Sequence, residues 1–307
     1  MNPLVVVEQL LLLMLVMLIG YSVARMKLLD DHAEMNFATL INYVTVPALI
    51  LSATDGGAVA GSKWDSLIVL FVASSSYVFF TLLAFFIPKL FKVKPDEIGV
   101  LQFVTVFANN GFMGLPVVLA LFGTSGLFYA SIFNIPNNIL VYSLGVYFIS
   151  RGKKKQTIDL RKLLLNPAII SAFLALLLFL FDIQLPSLLS KTLVSLGNIT
   201  SPLAMFIIGM SMIRINIGDA FKDMRLLAFA VFRMLIIPAA MWFVLRPIIT
   251  NPLILGVLIT IAGMPGPAMA VTLATLYDGN TGMATRYVFI STIISVLTIP
   301  LLSLLFG

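Results

Sequence analysis

The sequence predicts an all-α membrane protein: ten transmembrane helices in two inverted five-helix repeats, with the fourth and ninth helices broken. Three observations carry this expectation. Of the 307 residues, 60% are hydrophobic and 10% charged, whereas a water-soluble domain carries about 25% charged residues. Apolar runs of about 20 residues, the length that crosses a bilayer as a helix, recur from end to end and leave no room for a separate soluble domain. Glycine and proline interrupt the two halves at matching places.

Taken in order, the apolar segments fall at about 4–24, 36–54, 66–90, 98–122, 126–149, 163–181, 192–213, 225–247, 252–276 and 284–306. The first, Val5 to Ala24, has no basic stretch before it and no A-x-A site after it, so it reads as a retained helix rather than a cleaved signal. Basic loop residues set the orientation. Fifteen lie after odd-numbered segments, including Lys92, Arg151, Lys153, Lys154, Lys155 and Arg286. Only Lys63, Lys191 and Arg246 follow even-numbered ones. Odd loops are therefore expected in the cytoplasm of a cell-membrane protein, with both termini outside. The same loops account for the net charge of +6 without a nucleic-acid partner.

The stretch RGKKKQTIDLRK, 151–162, is a cytoplasmic linker between repeats 1–150 and 163–307. An odd number of crossings makes the second repeat enter from the opposite side. Segment two, NYVTVPALIL, with Asn42 and Pro47, is echoed in segment seven by GNITSPLAMF, with Asn198 and Pro202. Segment four carries GFMGLP at 111–116 and segment nine GMPGPA at 263–268. Paired breaks of this kind mark a transporter's binding site, because irregular backbone survives at membrane depth only where it is buried or lines a polar cavity.

The breaks explain the residue types around them. Pro116, Pro265 and Pro267 can open the second half of a helix, where the missing N–H costs nothing. Gly111, Gly114, Gly263 and Gly266 leave the backbone approachable, and Asn109 and Asn110 add amides. The second halves of segments four and nine point their N-termini at the same depth, and such ends bind anions through free N–H groups and a partial positive charge. No lysine or arginine is near either break in sequence, so the anion is expected to be held by amides and helix ends alone. Segment five adds Ser131, Asn134, Asn138 and Tyr142 on one helical face, with Asn137 beside them; Asn134 and Asn138 are expected to line the site. Arg233 and Glu8 are the ionisable residues inside predicted segments, which makes both functional suspects; Glu8 is near enough to an end to reach the interface, and Arg233 can either snorkel to the cytoplasm or take a coupling role.

Together, NYVTVPALIL, FANNGFMGLPVVLALFG, SPLAMFIIGMSM and the run from GMPGPAMA to STIISVLTIP resemble the auxin efflux carrier family. That family includes bacterial malate and malonate permeases and the plant PIN-formed auxin exporters, and is more distantly similar to bile acid–sodium symporters. The resemblance implies broken helices crossing at the midplane and a scaffold of helices 1, 2, 6 and 7. It also implies a mobile transport body of helices 3–5 and 8–10, elevator-like movement and a homodimer in lipid. The asparagine seven residues before the helix-four proline, here Asn109, would contact a substrate carboxylate. The expected activity is secondary transport of a small organic anion, a mono- or dicarboxylate such as malate, malonate or an auxin-like acid. A non-transporting sensor and an anion channel are the alternatives. No P-loop, metal-binding histidine pair or embedded acidic pair is present, so neither an enzyme nor a cofactor is expected; the coupling ion, proton or sodium, stays open.

Overall fold

The computed structural model describes residues 3–30, 32–52, 63–150, 167–214 and 223–306, and among these every regular element is helical. The linker 151–162 and the side chains of Glu8 and Tyr142 lie outside the described set. Helix α1 spans Pro3–Arg25. α2 (Ala33–Leu40) and α3 (Val46–Ser52) flank a π-turn at Ile41–Thr45. α4 is Lys63–Leu90, α5 Ile98–Val106 and α6 Leu115–Leu140, with a π-turn at Asn110–Gly114 between the last two. A further π-turn, Val141–Gly145, leads to α7, Val146–Ile149. The second half holds α8 (Pro167–Leu180), α9 (Ser187–Asn198) and α10 (Thr200–Ser211). It continues with α11 (Met224–Val231), a π-turn at Phe232–Ile236, α12 (Ile237–Leu245), α13 (Pro252–Ala262), α14 (Met269–Leu276) and α15 (Thr281–Ser303).

Among the described residues, six helical stretches are long and apolar enough to cross a membrane: 33–52, 64–90, 98–140, 187–211, 224–245 and 281–303. Residues 14–25, 167–180 and 252–262 form shorter apolar helices. The 43 residues of 98–140 are about twice one crossing. Gly123, at φ 66° and ψ −163°, divides them with a backbone conformation open essentially only to glycine. The outward surface is apolar: Phe71, Phe86, Phe243 and Leu297 are each at least two-thirds exposed, as lipid-facing positions require.

Three of the four π-turns have one sequence cause. Pro47, Pro116 and Pro238 each sit two residues beyond a turn. A proline cannot donate to the carbonyl four residues back, and its ring displaces that carbonyl. That residue is Tyr43, Phe112 or Met234, the middle of the widened turn in each case. The extra residue rotates the preceding side chains to a new face, which matters below for Arg233. Helix ends follow rules too. Lys27, Asp182, Lys92 and Asp278 are left-handed, with φ of 53°, 54°, 48° and 53°. After each, the next N–H reaches back to the last turn, for example Leu28 to Val23 (3.3 Å) and Ile183 to Leu178 (2.9 Å), the Schellman closure of a helix C-terminus.

Most of the packing falls into two groups of helices, joined where α6 packs on α8 and α1 on α15. α1 runs against α10, where a side chain on Gly20 or Gly209 would collide with the Phe206 or Met17 carbonyl, and α3 lies between α8 and α9. In the other set α4 packs on α5 and α6, α13 on α6 and α12, and α15 on α11 and α14. The π-turn 110–114 touches α10 at the seam between the sets.

Candidate functional site

The two broken helices meet in the protein interior. α5 stops at Val106, Phe107 is extended (φ −103°, ψ 138°) and Asn109 (φ −76°, ψ 61°) turns the chain into the π-turn. α13 stops at Ala262, and buried residues 263–267 run without helical structure to α14. The Asn109 N–H donates to the Pro265 carbonyl at 2.8 Å, tying break to break. Other freed groups are satisfied locally, as buried backbone must be. The Asn109 carbonyl accepts from the N–H groups of Met113 (3.3 Å) and Gly114 (2.9 Å), and the Gly266 N–H donates to Ser291 Oγ at 3.0 Å.

Every position singled out in the two breaks lies at this junction. Asn109, Asn110, Gly114, Pro116, Gly263, Pro265, Gly266 and Pro267 are buried, and Gly111 is half-buried. A Cβ on Gly266 would stand 2.6 Å from the Tyr287 ring, whereas one on Gly114 would make ordinary contacts with the Met264 side chain (3.4 Å), the Asn109 carbonyl (3.5 Å) and the Asn110 Cβ (3.7 Å). A Cβ on Gly111 would meet nothing. The Asn109 side-chain amide, in a residue only 6% exposed, makes no hydrogen bond to the described residues.

Asn110 heads a polar chain that the sequence did not outline. Its Nδ2 donates to Tyr77 Oη (3.1 Å), which donates to Asn137 Oδ1 (3.0 Å). Tyr77 escaped notice because nothing on α4 sets one hydroxyl apart from its neighbours. On α6 the buried amides are Asn134 and Asn137, while Asn138 is half-buried and outside the chain. The side-chain oxygens of Asn110 and Asn134 are buried without a donor.

An arginine distant in sequence is brought to the two breaks by the fold. Arg233 does not reach toward an interface: it is 2% exposed and lies at the crossover. Its Nε donates to the Thr105 carbonyl (2.7 Å) and its Nη1 to the Ala262 carbonyl (2.6 Å), in the last turns of α5 and α13. The guanidinium carbon stands 4.5 Å from the centre of the Phe80 ring. The physical reason is twofold: the widened turn before Pro238 swings Arg233 inward, and the breaks expose carbonyls that only a folded chain brings together. Beside Met113, a cavity of about 30 Å³ lies among Met14, Met17, Met205, Ile208 and Ser295, at the seam of the two helix sets. It has room for water but not for an organic acid. Among the described residues no group of three or more His, Asp or Glu side chains could hold a metal ion.

Two polar clusters tie the halves together at opposite ends of this body. At one, Asp65 at the start of α4 receives Asn251 Nδ2 (3.4 Å), ahead of α13, and Tyr129 Oη (3.5 Å) on α6. At the other, Asp223 at the start of α11 pairs with Arg225, which donates to the Lys92 carbonyl (3.2 Å), while Arg286 of α15 lies between Glu97 and Asp223. Partial burial pushes the Asp223 carboxyl up. The Arg225 hydrogen bond and charge, with the N–H groups of Leu226 and Arg225, outweigh it and hold the carboxyl below its ordinary value.

Comparison with known sequences follows the same extent. The membrane transport protein family matches residues 5–303. An uncharacterized transporter of Methanocaldococcus jannaschii is 27% identical over 302 residues, covering 95% of this chain and 96% of its own. An uncharacterized transporter of Methanothermobacter thermautotrophicus is 22% identical over 303 residues, covering 96% and 97%. The chain belongs to the membrane transport protein family, the auxin efflux carrier family that its broken-helix motifs resemble.

Proposed function

We propose that this transporter is a secondary carrier of a small organic anion, held where the two broken helices cross. The observation that carries the reading is the Asn109–Pro265 hydrogen bond, which sets the N-terminal ends of two half-helices side by side. Each such end carries about +0.5 charge, and the unpartnered Asn109 amide adds a donor beside them. Rotating the amides of Asn110 and Asn137 by 180° reverses the Tyr77 chain. Asn110 Oδ1 then accepts from Tyr77, and its NH₂ is free for a carboxylate. Amide orientation follows the hydrogen-bond network, so an anion would favour that reversed state.

The same reading takes the ten segments as ten crossings in inverted repeats. Matching closures after α1 and α8, and Asp65 and Asp223 at equivalent starts, support it. The packing set of α1, α3 and α8–α10 would be the scaffold, and α4–α7 with α11–α15 the body that carries the anion past it. The small cavity at their seam fits a closed stage of that cycle. Asn42 and Asn198 are exposed on the scaffold, and amides facing lipid call for a partner; a second copy of the chain would supply it.

Counterflow in liposomes tests the function. Protein preloaded with an unlabelled carboxylate should accumulate the labelled acid transiently and saturably. Binding without uptake would make the protein a sensor, and unsaturable flux without counterflow would make it a channel.

A further inference from the structure

Arg233 is a buried charge with no carboxylate within salt-bridge distance among the described residues. An unpaired buried charge is expensive, so its surroundings must compensate it. They consist of the Thr105 and Ala262 carbonyls, the face of Phe80, and the flanking Tyr77 and Tyr287. The two carbonyls belong to half-helix C-termini, each carrying about −0.5 charge. Together they come to about −1, the complement of one guanidinium. In transporters with broken helices, such C-terminal ends and unwound carbonyls are where coupling cations bind. Here side-chain nitrogens stand 2.7 and 2.6 Å from those oxygens.

We propose that Arg233 is the resident cation of the crossover. It joins the C-terminal ends of α5 and α13 and fills the carbonyl positions an alkali-metal ion would otherwise take, so anion binding requires no bound metal cation. The inference rests on the crossover being the anion site. With the C-terminal ends neutralised, the facing N-terminal ends keep about +1 between them, which suits one carboxylate at the junction. Arg233 acts by positioning: its Nε and Nη1 are committed to carbonyls, and it holds the half-helices at the distance the Asn109–Pro265 bond records.

The test compares wild type with Arg233→Met, Arg233→Gln and Arg233→Lys, as purified full-length proteins. Thermal unfolding in choline, potassium, sodium and lithium chloride at equal ionic strength is read first, then organic-acid affinity and counterflow in the same salts. Wild type and Arg233→Lys should be indifferent to the cation. The two neutral variants should bind the acid at least tenfold more weakly in choline, and sodium or lithium should restore both affinity and unfolding temperature. Wild-type binding that collapses in choline would overturn the proposal, as would neutral variants with full affinity in choline. Neutral variants that fold in none of the salts would also overturn it, because then no metal ion can stand in for the guanidinium. Absence of counterflow by wild type for every acid would instead sink the transport reading, while the salt dependence of unfolding would still judge Arg233.

Discussion

Asn109 does two jobs with different groups. Its backbone N–H holds the breaks together, and its side-chain amide is left over. Asn109→Ala should therefore leave unfolding temperature nearly unchanged while removing a hydrogen bond to a charged ligand. That bond is worth about 1.5–3 kcal/mol, or roughly tenfold to a hundredfold in affinity, readable by calorimetry or competition. Unchanged affinity would remove Asn109 from the site. Asp223 gives a prediction of opposite kind. Its carboxyl is held below the ordinary value, so its stabilisation is present above about pH 4 and fades as pH falls through the lower folded-state value. Asp223→Asn should lower the unfolding temperature near neutrality, and the difference from wild type should shrink in acid. A difference independent of pH would assign the loss to packing.

At the level of elements, the two breaks are alike in sequence but not in tightness. Gly266→Ala pushes a Cβ against the rigid Tyr287 ring and should abolish counterflow while the protein still reaches the membrane. Gly114→Ala would make only ordinary contacts, at 3.4 Å or more, and should transport nearly normally; Gly114→Leu should not. Equal activity of Gly266→Ala and wild type would reduce the second break to a packing feature. Gly123 is different again, because its constraint is backbone strain and not space. Gly123→Ala should cost about 1–3 kcal/mol of stability, seen in thermal unfolding, with substrate affinity unchanged.

For the whole molecule, the basic-loop count predicts sidedness, and the chain's lack of cysteine makes it measurable. Gln184→Cys, in the exposed turn after α8, should react with an impermeant thiol reagent in intact cells. Lys94→Cys, in the turn after α4, should react only after the membrane is opened. Labelling in the reverse sense would invert the molecule. It would also exchange which half-helices open to which side, while leaving their meeting point intact.

Residue order alone specifies the helical, membrane-embedded character, the places where helices must fail, and the residue types at those places. These follow from local physics: hydrocarbon demands apolar surface, and proline and glycine disrupt the ladder wherever they fall. FANNGFMGLP and GMPGPA were legible as breaks for that reason. Even the widened turn that carries Arg233 had its proline five residues on. Tertiary structure decided what the breaks do to each other. The Asn109 bond to Pro265 spans 156 residues, and the two carbonyls under Arg233 lie 128 and 29 residues from it. Backbone carbonyls carry no sequence signature, so a cation whose partners are carbonyls reads as a stray charge until the fold assembles them. Choosing Asn137 over Asn138 for the Tyr77 chain is a matter of about 100° of helix rotation, which only packing against α4 could set.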